Sequence, residues 1–420
     1  MTRPPTIISD NSKIVKGKSS SGGARISLGV VCLILAAAVW LPLMHLVFAA
    51  WPGRYYSDEG IAPKAKQVAA HQMSLWAEPP AARDELGRNR AGCAEWDLMA
   101  RTFLVLALTN MCLQEPDAQQ AYLDVVDKII EQTLQLEQDK GIYYFLMDYG
   151  KYGSFVNKPA RSLFLDGEVA LMFGVRQMVK VRPDYAPLLA QRVDIMVDYM
   201  SRGSVLSAES YPDECWTFCN SVALAAMTIS DVLDGRDHSE FCRRWINTAK
   251  SKLVDPHTGI LYSSYTLAGT PKDGPEGSTI WMVSHCLQLV DEEFAKDQYD
   301  RAKKELACNV LGFGFAREWP KSWKGPKDID AGQVLPLLEA SPSSSGLAFM
   351  AARSFGDMAF LKALLASLRL GGFPQEEDGT LTFRACNSLG EAVLLYSMAA
   401  GPMWKKVKDC QSLRERQAEK

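Results

Sequence analysis

Residues 209–227 read ESYPDECWTFCNSVALAAM, a polar loop carrying aromatic and thiol side chains that runs into an apolar stretch with helical spacing. The triplet Cys219-Asn220-Ser221 returns as Cys386-Asn387-Ser388 ahead of a second apolar stretch. Asn and Ser side chains accept from the free N–H groups of a helix start, so each triplet predicts an N-cap. The repetition points to a helical unit used more than once.

Outward from this stretch the pattern continues. Apolar residues recur at three-to-four spacing over 95–113, 118–137, 162–181, 185–199, 221–233, 239–253, 279–290, 297–310, 343–355, 358–368 and 389–399. Gly or Pro marks most junctions. No stretch alternates long enough to demand a large sheet. About a dozen helices joined by loops predict about six helical hairpins, stacked as an open solenoid or closed into a ring of inner and outer helices.

The chain has 420 residues, 47% of them hydrophobic, and a net charge of −3. No basic field suggests nucleic acid, and no phosphate loop, dinucleotide fingerprint or metal-ligand spacing is present, so no cofactor or metal is expected. Residues 1–25 are polar and read as a disordered basic tail. Residues 26–51 carry no charge and exceed the roughly 20 apolar residues that cross a bilayer, so they read as a transmembrane signal-anchor. The basic residues Arg3, Lys13, Lys16, Lys18 and Arg25 precede this span against Asp10. The expected topology is a single-pass membrane protein with residues 52–420 in the endoplasmic reticulum lumen or the periplasm. Residues 52–92 read as an irregular connector with one short helix over 62–76, 93–404 as the catalytic domain, and 405–420 as a charged tail.

Three segments carry chemistry. In 211–219, Tyr211 and Trp216 offer aromatic faces, Asp213 a carboxylate, and Cys219 a thiol where a helix N-terminus would lower its pKa. In 161–178, Glu168 interrupts an apolar helix between Leu165, Val169, Leu171 and Met172, and so points inward. A carboxylic acid in an apolar pocket has a raised pKa and can donate a proton near neutrality. The competing reading pairs Glu168 with Arg161 or Arg176. In 253–267, Tyr262 and Tyr265 can line a pocket. Trp281 and His285 lie four apart and share a helix face, as pocket residues or as buried core.

The runs YPDECWTFCNSVALAAM, LVDPHTGILYSSY, LFLDGEVALMFG and SSSGLAFMAARSFGDMAFLKALL resemble, in order and spacing, segments of the linalool dehydratase/isomerase family. The resemblance covers roughly residues 90–400. It implies an all-α fold, an (α/α)6 barrel with a hydrophobic pocket at one end, acting on terpene alcohols. It places the family's second active-site cysteine on Cys219, its pocket histidine on Glu168 and an active-site tyrosine on Tyr262. The first active-site cysteine falls on Ser210, so the thiol pair is broken. The region of the family's catalytic Asp and Tyr reads RDELGRNRAG here, without an aromatic residue. Cys93 falls near a family disulfide cysteine, with Cys112 or another thiol as partner.

These readings converge on a membrane-anchored enzyme that isomerises, dehydrates or cyclises a hydrophobic terpenoid without a redox cofactor. Glu168, Cys219, Asp213 and Tyr262 are the expected catalytic residues. Tyr211, Trp216, Tyr265, Trp281 and His285 are the expected substrate-binding residues. The partners are the substrate and the membrane, and a homo-oligomer is compatible with the chain. Two alternatives stand beside this reading: a carbohydrate-active enzyme using Asp166 or Glu168 with Asp213, and an inactive binding scaffold.

Overall fold

A computed structural model describes residues 21–77, 79–327 and 332–418. The chain divides into two units, Met1–Val47 and Phe48–Lys420. The first is built on helix α1 (Ser21–Phe48), whose Leu28, Leu33, Ile34, Val39 and Trp40 are exposed. A helix of 28 residues extends about 42 Å, longer than the roughly 30 Å of a bilayer's hydrocarbon core. It is long and apolar enough to cross a membrane, a test that a secretory signal also passes. The tail expected over 1–25 lies outside the described residues up to residue 20; from Ser21 the chain is helical.

Near the start of the second unit, α2 (Pro63–Ala77) matches the short helix expected over 62–76, and α3 (Pro79–Gly92) stands where irregular chain was expected. Val68 and Trp76 of α2 are buried in the common core, which is why the segment orders. Six helices then form a closed ring: α4 (Ala94–Gln114), α6 (Leu163–Val179), α8 (Thr217–Asp234), α10 (Gly277–Leu287), α12 (Pro342–Ser354) and α14 (Ser388–Ala399). Each packs on the next, and α14 packs back on α4. Helices α5 (Gln119–Lys140), α7 (Tyr185–Arg202), α9 (Ser239–Lys252), α11 (Glu292–Leu306) and α13 (Met358–Gly371) alternate with them along the chain. Of these, α5 lies against α4 and α6, α7 against α6 and α8, α11 against α10, and α13 against α12. Ring helices are covered on every side, so α6 is buried from Leu163 to Met178, whereas α9 buries only Cys242, Trp245, Ile246 and Ala249.

The ring helices run parallel. At one end, Glu318 joins two N-termini: it accepts from the Ser278 N–H (2.9 Å) of α10 and the Ser341 hydroxyl that caps α12. Ser263 joins α8 and α10 by accepting from the Thr217 N–H (2.8 Å) and the Glu276 N–H (2.9 Å). At the other end, His285 of α10 meets Ser354 of α12 and Tyr396 of α14. Helix α15 (Pro402–Ala418) replaces the expected charged tail and closes this end with Met403, Trp404 and Val407.

Two expected boundaries shift. Helix α8 begins at Thr217, so Asn220 is not a cap: it accepts from the Ala208 N–H (3.2 Å) and donates to the Trp216 carbonyl (2.8 Å), tying the loop to the helix. Only the second triplet caps, with Asn387 accepting from the Gly390 N–H (2.9 Å). The helix expected over 297–310 ends at Leu306, and Ala307–Val310 pairs with Phe313–Ala316 as a hairpin. Among the described residues the cysteines form no disulfide. Cys93 and Cys112 stand at opposite ends of α4, about 28 Å apart at 1.5 Å per residue, and a disulfide needs Cα atoms within about 7 Å.

Candidate active site

Glu168 lies in the second turn of α6, facing the ring interior, and is 2% exposed. Burial raises its carboxyl to about 8, opposed by a Thr102 hydrogen bond and reinforced by the charge of Glu95. Its Oε2 has no hydrogen-bond partner. Neither candidate arginine reaches it. Arg161 and Arg192 both bind Asp166, with Nε–Oδ2 at 2.8 Å and Nη1–Oδ1 at 2.6 Å, and Arg176 grips Asp127 at 2.6 and 2.8 Å. The salt-bridge reading of Glu168 is therefore overturned. Asp166 is buried between Arg161 and Arg192.

Cys219, in the first turn of α8, is buried near Glu168. The expected lowering of its pKa by the helix N-terminus does not prevail: burial raises the thiol well above its ordinary value, opposed by a hydrogen bond from Ser210 and reinforced by the charges of Glu95 and Glu168. Cys286 of α10 also feels Glu168 and is likewise raised, chiefly by burial. Two neutral thiols thus face the acid from adjacent ring helices.

Tyr211 reaches from the loop to the start of α4. Its hydroxyl donates to Glu95 and accepts from the Met147 N–H (2.9 Å), and its ring stacks on Tyr149 at 4.5 Å. Gly150 permits this, since a Cβ there would lie 2.9 Å from the Tyr211 ring. Glu95 was missed in the sequence, because an acid in the first turn of a helix is common for electrostatic reasons alone.

The other expected residues separate. Asp213 is exposed on a turn with φ 49°, and its carboxylate accepts from the Leu267 N–H (3.2 Å). Glu214 turns inward instead: it accepts from the Trp216 indole (2.6 Å) and Tyr149 (3.0 Å) and pairs with Lys272 (2.6 Å). Trp216 is therefore pinned at the rim. Tyr262 lines a surface cleft of about 90 Å³ with Lys272, Asp273 and Trp323. Tyr265 is buried behind the loop, sharing Ser207 Oγ (2.9 Å) with the Trp245 indole (3.1 Å). Trp281 donates to Ser344 (3.0 Å) and packs edge-on against Tyr299 of the outer α11. His285 sits at the far end of the ring, with both nitrogens bound (2.6 Å to Ser354, 2.7 Å to Tyr396), stacked on Trp404, and held neutral by burial with its pKa lowered to about 3. Tyr265, Trp281 and His285 are each buried with their polar atoms paired within the protein.

The structure thus brings Glu168, Cys219 and Tyr211 together and adds Glu95, Ser210, Thr102 and Cys286. Among the described residues, no cluster of His, Cys, Asp or Glu is arranged to hold a metal. Residues 184–389, which include Tyr211, Cys219 and Tyr262, match the linalool dehydratase/isomerase family. Among solved structures, the chain is similar to a GH76 α-mannanase of Bacteroides thetaiotaomicron, at 12% identity over 74% of this chain and 87% of that one, TM-score 0.47. It is also similar to the unsaturated glucuronyl hydrolase of Bacillus sp. GL1, at 10% identity over 80% and 96%, TM-score 0.47. A polysaccharide lyase matches at 12% identity over 82% and 98%, TM-score 0.44.

Proposed function

We propose, from a chain whose residues 184–389 match the linalool dehydratase/isomerase family, an enzyme that isomerises, dehydrates or cyclises a hydrophobic terpenoid by acid–base chemistry. The observation that carries this reading is the buried, unpartnered Oε2 of Glu168 on a carboxyl whose pKa burial raises to about 8. At neutral pH that group holds a proton and has an oxygen free to meet a ligand. Placed against a tertiary or allylic hydroxyl, it donates the proton, the C–O bond breaks, and water leaves. The cationic carbon then loses a proton from its neighbour to a carboxylate, Glu168 itself or Glu95. The aromatic faces of Tyr211 and Trp216 favour positive charge nearby, and the neutral thiols of Cys219 and Cys286 line the path without competing as nucleophiles.

Glu168 is closed from solvent in this conformation. In this reading α1 is the anchor, and Phe48–Lys420 stands on the lumenal or periplasmic side. Protease protection of that unit in sealed vesicles, lost on adding detergent, is the expected topology result. The activity itself is tested by incubating the full chain in detergent with a panel of terpene alcohols, without redox cofactor, and detecting products by gas chromatography. Product formation that is identical for wild type and Glu168→Gln would sink the mechanism.

A further inference from the structure

Residues 332–341 lie at the N-terminal end of the ring. Gly332 stands against both Trp96, the neighbour of Glu95 in α4, and Ser343 in α12: a Cβ there would lie 3.8 Å from the Trp96 ring and 3.7 Å from Ser343 Oγ. Helices α4 and α12 are not adjacent, because α14 stands between them. The loop returns through the Leu335 N–H bond to the Ala340 carbonyl (2.8 Å), beside the Ser341 cap. Between these ties, Leu335, Leu337 and Leu338 are 54%, 102% and 50% exposed. Leu337 holds φ 69°, a left-handed backbone that bulky side chains rarely adopt.

The same end carries more exposed apolar surface. Helix α13 follows α12 after three residues, so it runs back and ends where α12 begins. Just past it, Phe373 is 63% exposed at φ 50°. Arg369, in its last turn, donates to the carbonyls of Phe48 (3.0 Å) and Ala49 (2.5 Å), which holds the first residues of this unit at that end. Trp51, two residues on, is 79% exposed. The segment 321–327, KSWKGPK, leads into the loop with Lys321, Lys324 and Lys327 exposed around a Trp.

We propose that this end of the ring docks on a lipid bilayer, with Leu335, Leu337, Leu338 and Phe373 entering the headgroup–acyl boundary. Leucine and Phe projections flanked by Trp and Lys are the composition that favours a membrane interface, the Trp at headgroup level and the Lys toward anionic lipid. A bilayer is the fitting occupant because the residues before Phe48 are an apolar helix long enough to span one. Docking in this way lets a hydrophobic substrate pass from lipid to the ring interior without crossing water, a consequence that rests on the proposed reaction.

The test uses the full chain reconstituted into phosphatidylcholine–phosphatidylglycerol vesicles. An environment-sensitive fluorophore is attached at Leu337→Cys or, as a control, at Ser239→Cys at the start of α9 on the opposite end; the unsubstituted chain sets the labelling background. The expected result is at least twofold quenching of the Leu337 label by acyl-chain nitroxides with protection from iodide, and the reverse at Ser239. A Leu337 label quenched by iodide as strongly as the Ser239 label would overturn the proposal. So would a label shielded from both quenchers, which would assign the surface to a second protein. Quenching needs no turnover, so its outcome is independent of the proposed reaction. For the linked consequence, changing Leu335, Leu337 and Leu338 to Ser should raise KM for a vesicle-dissolved substrate severalfold and leave kcat unchanged.

Discussion

Tyr211, in the loop before α8, donates its phenolic hydrogen to Glu95 in the first turn of α4, so the loop and a ring helix two places away are joined across the mouth of the ring. The same oxygen serves the Met147 N–H. Tyr211→Phe keeps the stack on Tyr149 but leaves that N–H without its acceptor, a loss of about 1–3 kcal/mol. Urea unfolding of the pair of proteins checks it, and an unchanged midpoint would show that the bond contributes nothing.

Glu168→Gln keeps the shape and removes the exchangeable proton. Turnover should fall by about 10²–10⁴-fold, the usual contribution of a general acid, while the protein stays folded. The pH dependence has a definite sign. The folded carboxyl is raised to about 8 from 4.5, so the native state holds a proton that the unfolded chain releases. Stability from this group is complete below about 4.5 and declines as pH rises toward about 8, by up to about 1.4 kcal/mol per pH unit. That slope should vanish in Glu168→Gln, and wild-type turnover should fall on the alkaline side near pH 8. Thermal melts and rates over pH 5–9 measure both.

Asp166 separates the terpenoid reading from the glycosidase-like one. It is buried and held by Arg161 and Arg192, so Asp166→Asn weakens an anchor and should lower the melting temperature. Activity per folded molecule should survive. A stable protein with abolished turnover would return Asp166 to the chemistry.

His285 makes the opposite forecast to Glu168. His285→Ala removes the partner of Ser354 and Tyr396 and opens a cavity under Trp404, costing about 2–5 kcal/mol with little change in turnover per folded molecule. Its folded pKa is lowered to about 3 from 6.5, so its contribution is present above about 6.5 and is lost as pH falls toward 3. Acid unfolding of the two proteins should converge over that range.

Thiol chemistry tests the burial argument. Cys215, Cys219, Cys242 and Cys286 are buried with raised pKa values, so iodoacetamide at pH 8 should leave them unmodified in the native protein and modify all four in guanidinium. Mass spectrometry reads the result. Rapid native labelling of Cys219 would mean an activated thiolate.

Much of the helical order was legible because it is local. The three-to-four spacing around Leu165, Val169, Leu171 and Met172 turns Glu168 inward whatever the partners are, and an uncharged run such as 26–51 declares its own apolar helix. The second triplet was legible as a cap, but the first was not, since the Ala208 and Trp216 contacts that hold Asn220 come from the folded loop.

What the sequence determined by itself is therefore the helices, the direction each apolar face takes, and the presence of an acid among apolar neighbours. Tertiary structure alone decided which groups meet. Arg161 and Arg176 were both in reach of Glu168 along the chain, yet each found another carboxylate. Glu95 joins the site from a helix 73 residues away in sequence (168 − 95). Trp281 and His285 share a helix with the site's neighbour Cys286, but one packs against the outer layer and the other at the far end of the ring. The reason is physical: periodicity is set by bonds between residues three or four apart, while desolvation and charge pairing depend on which distant side chains the closed ring brings within a few ångströms.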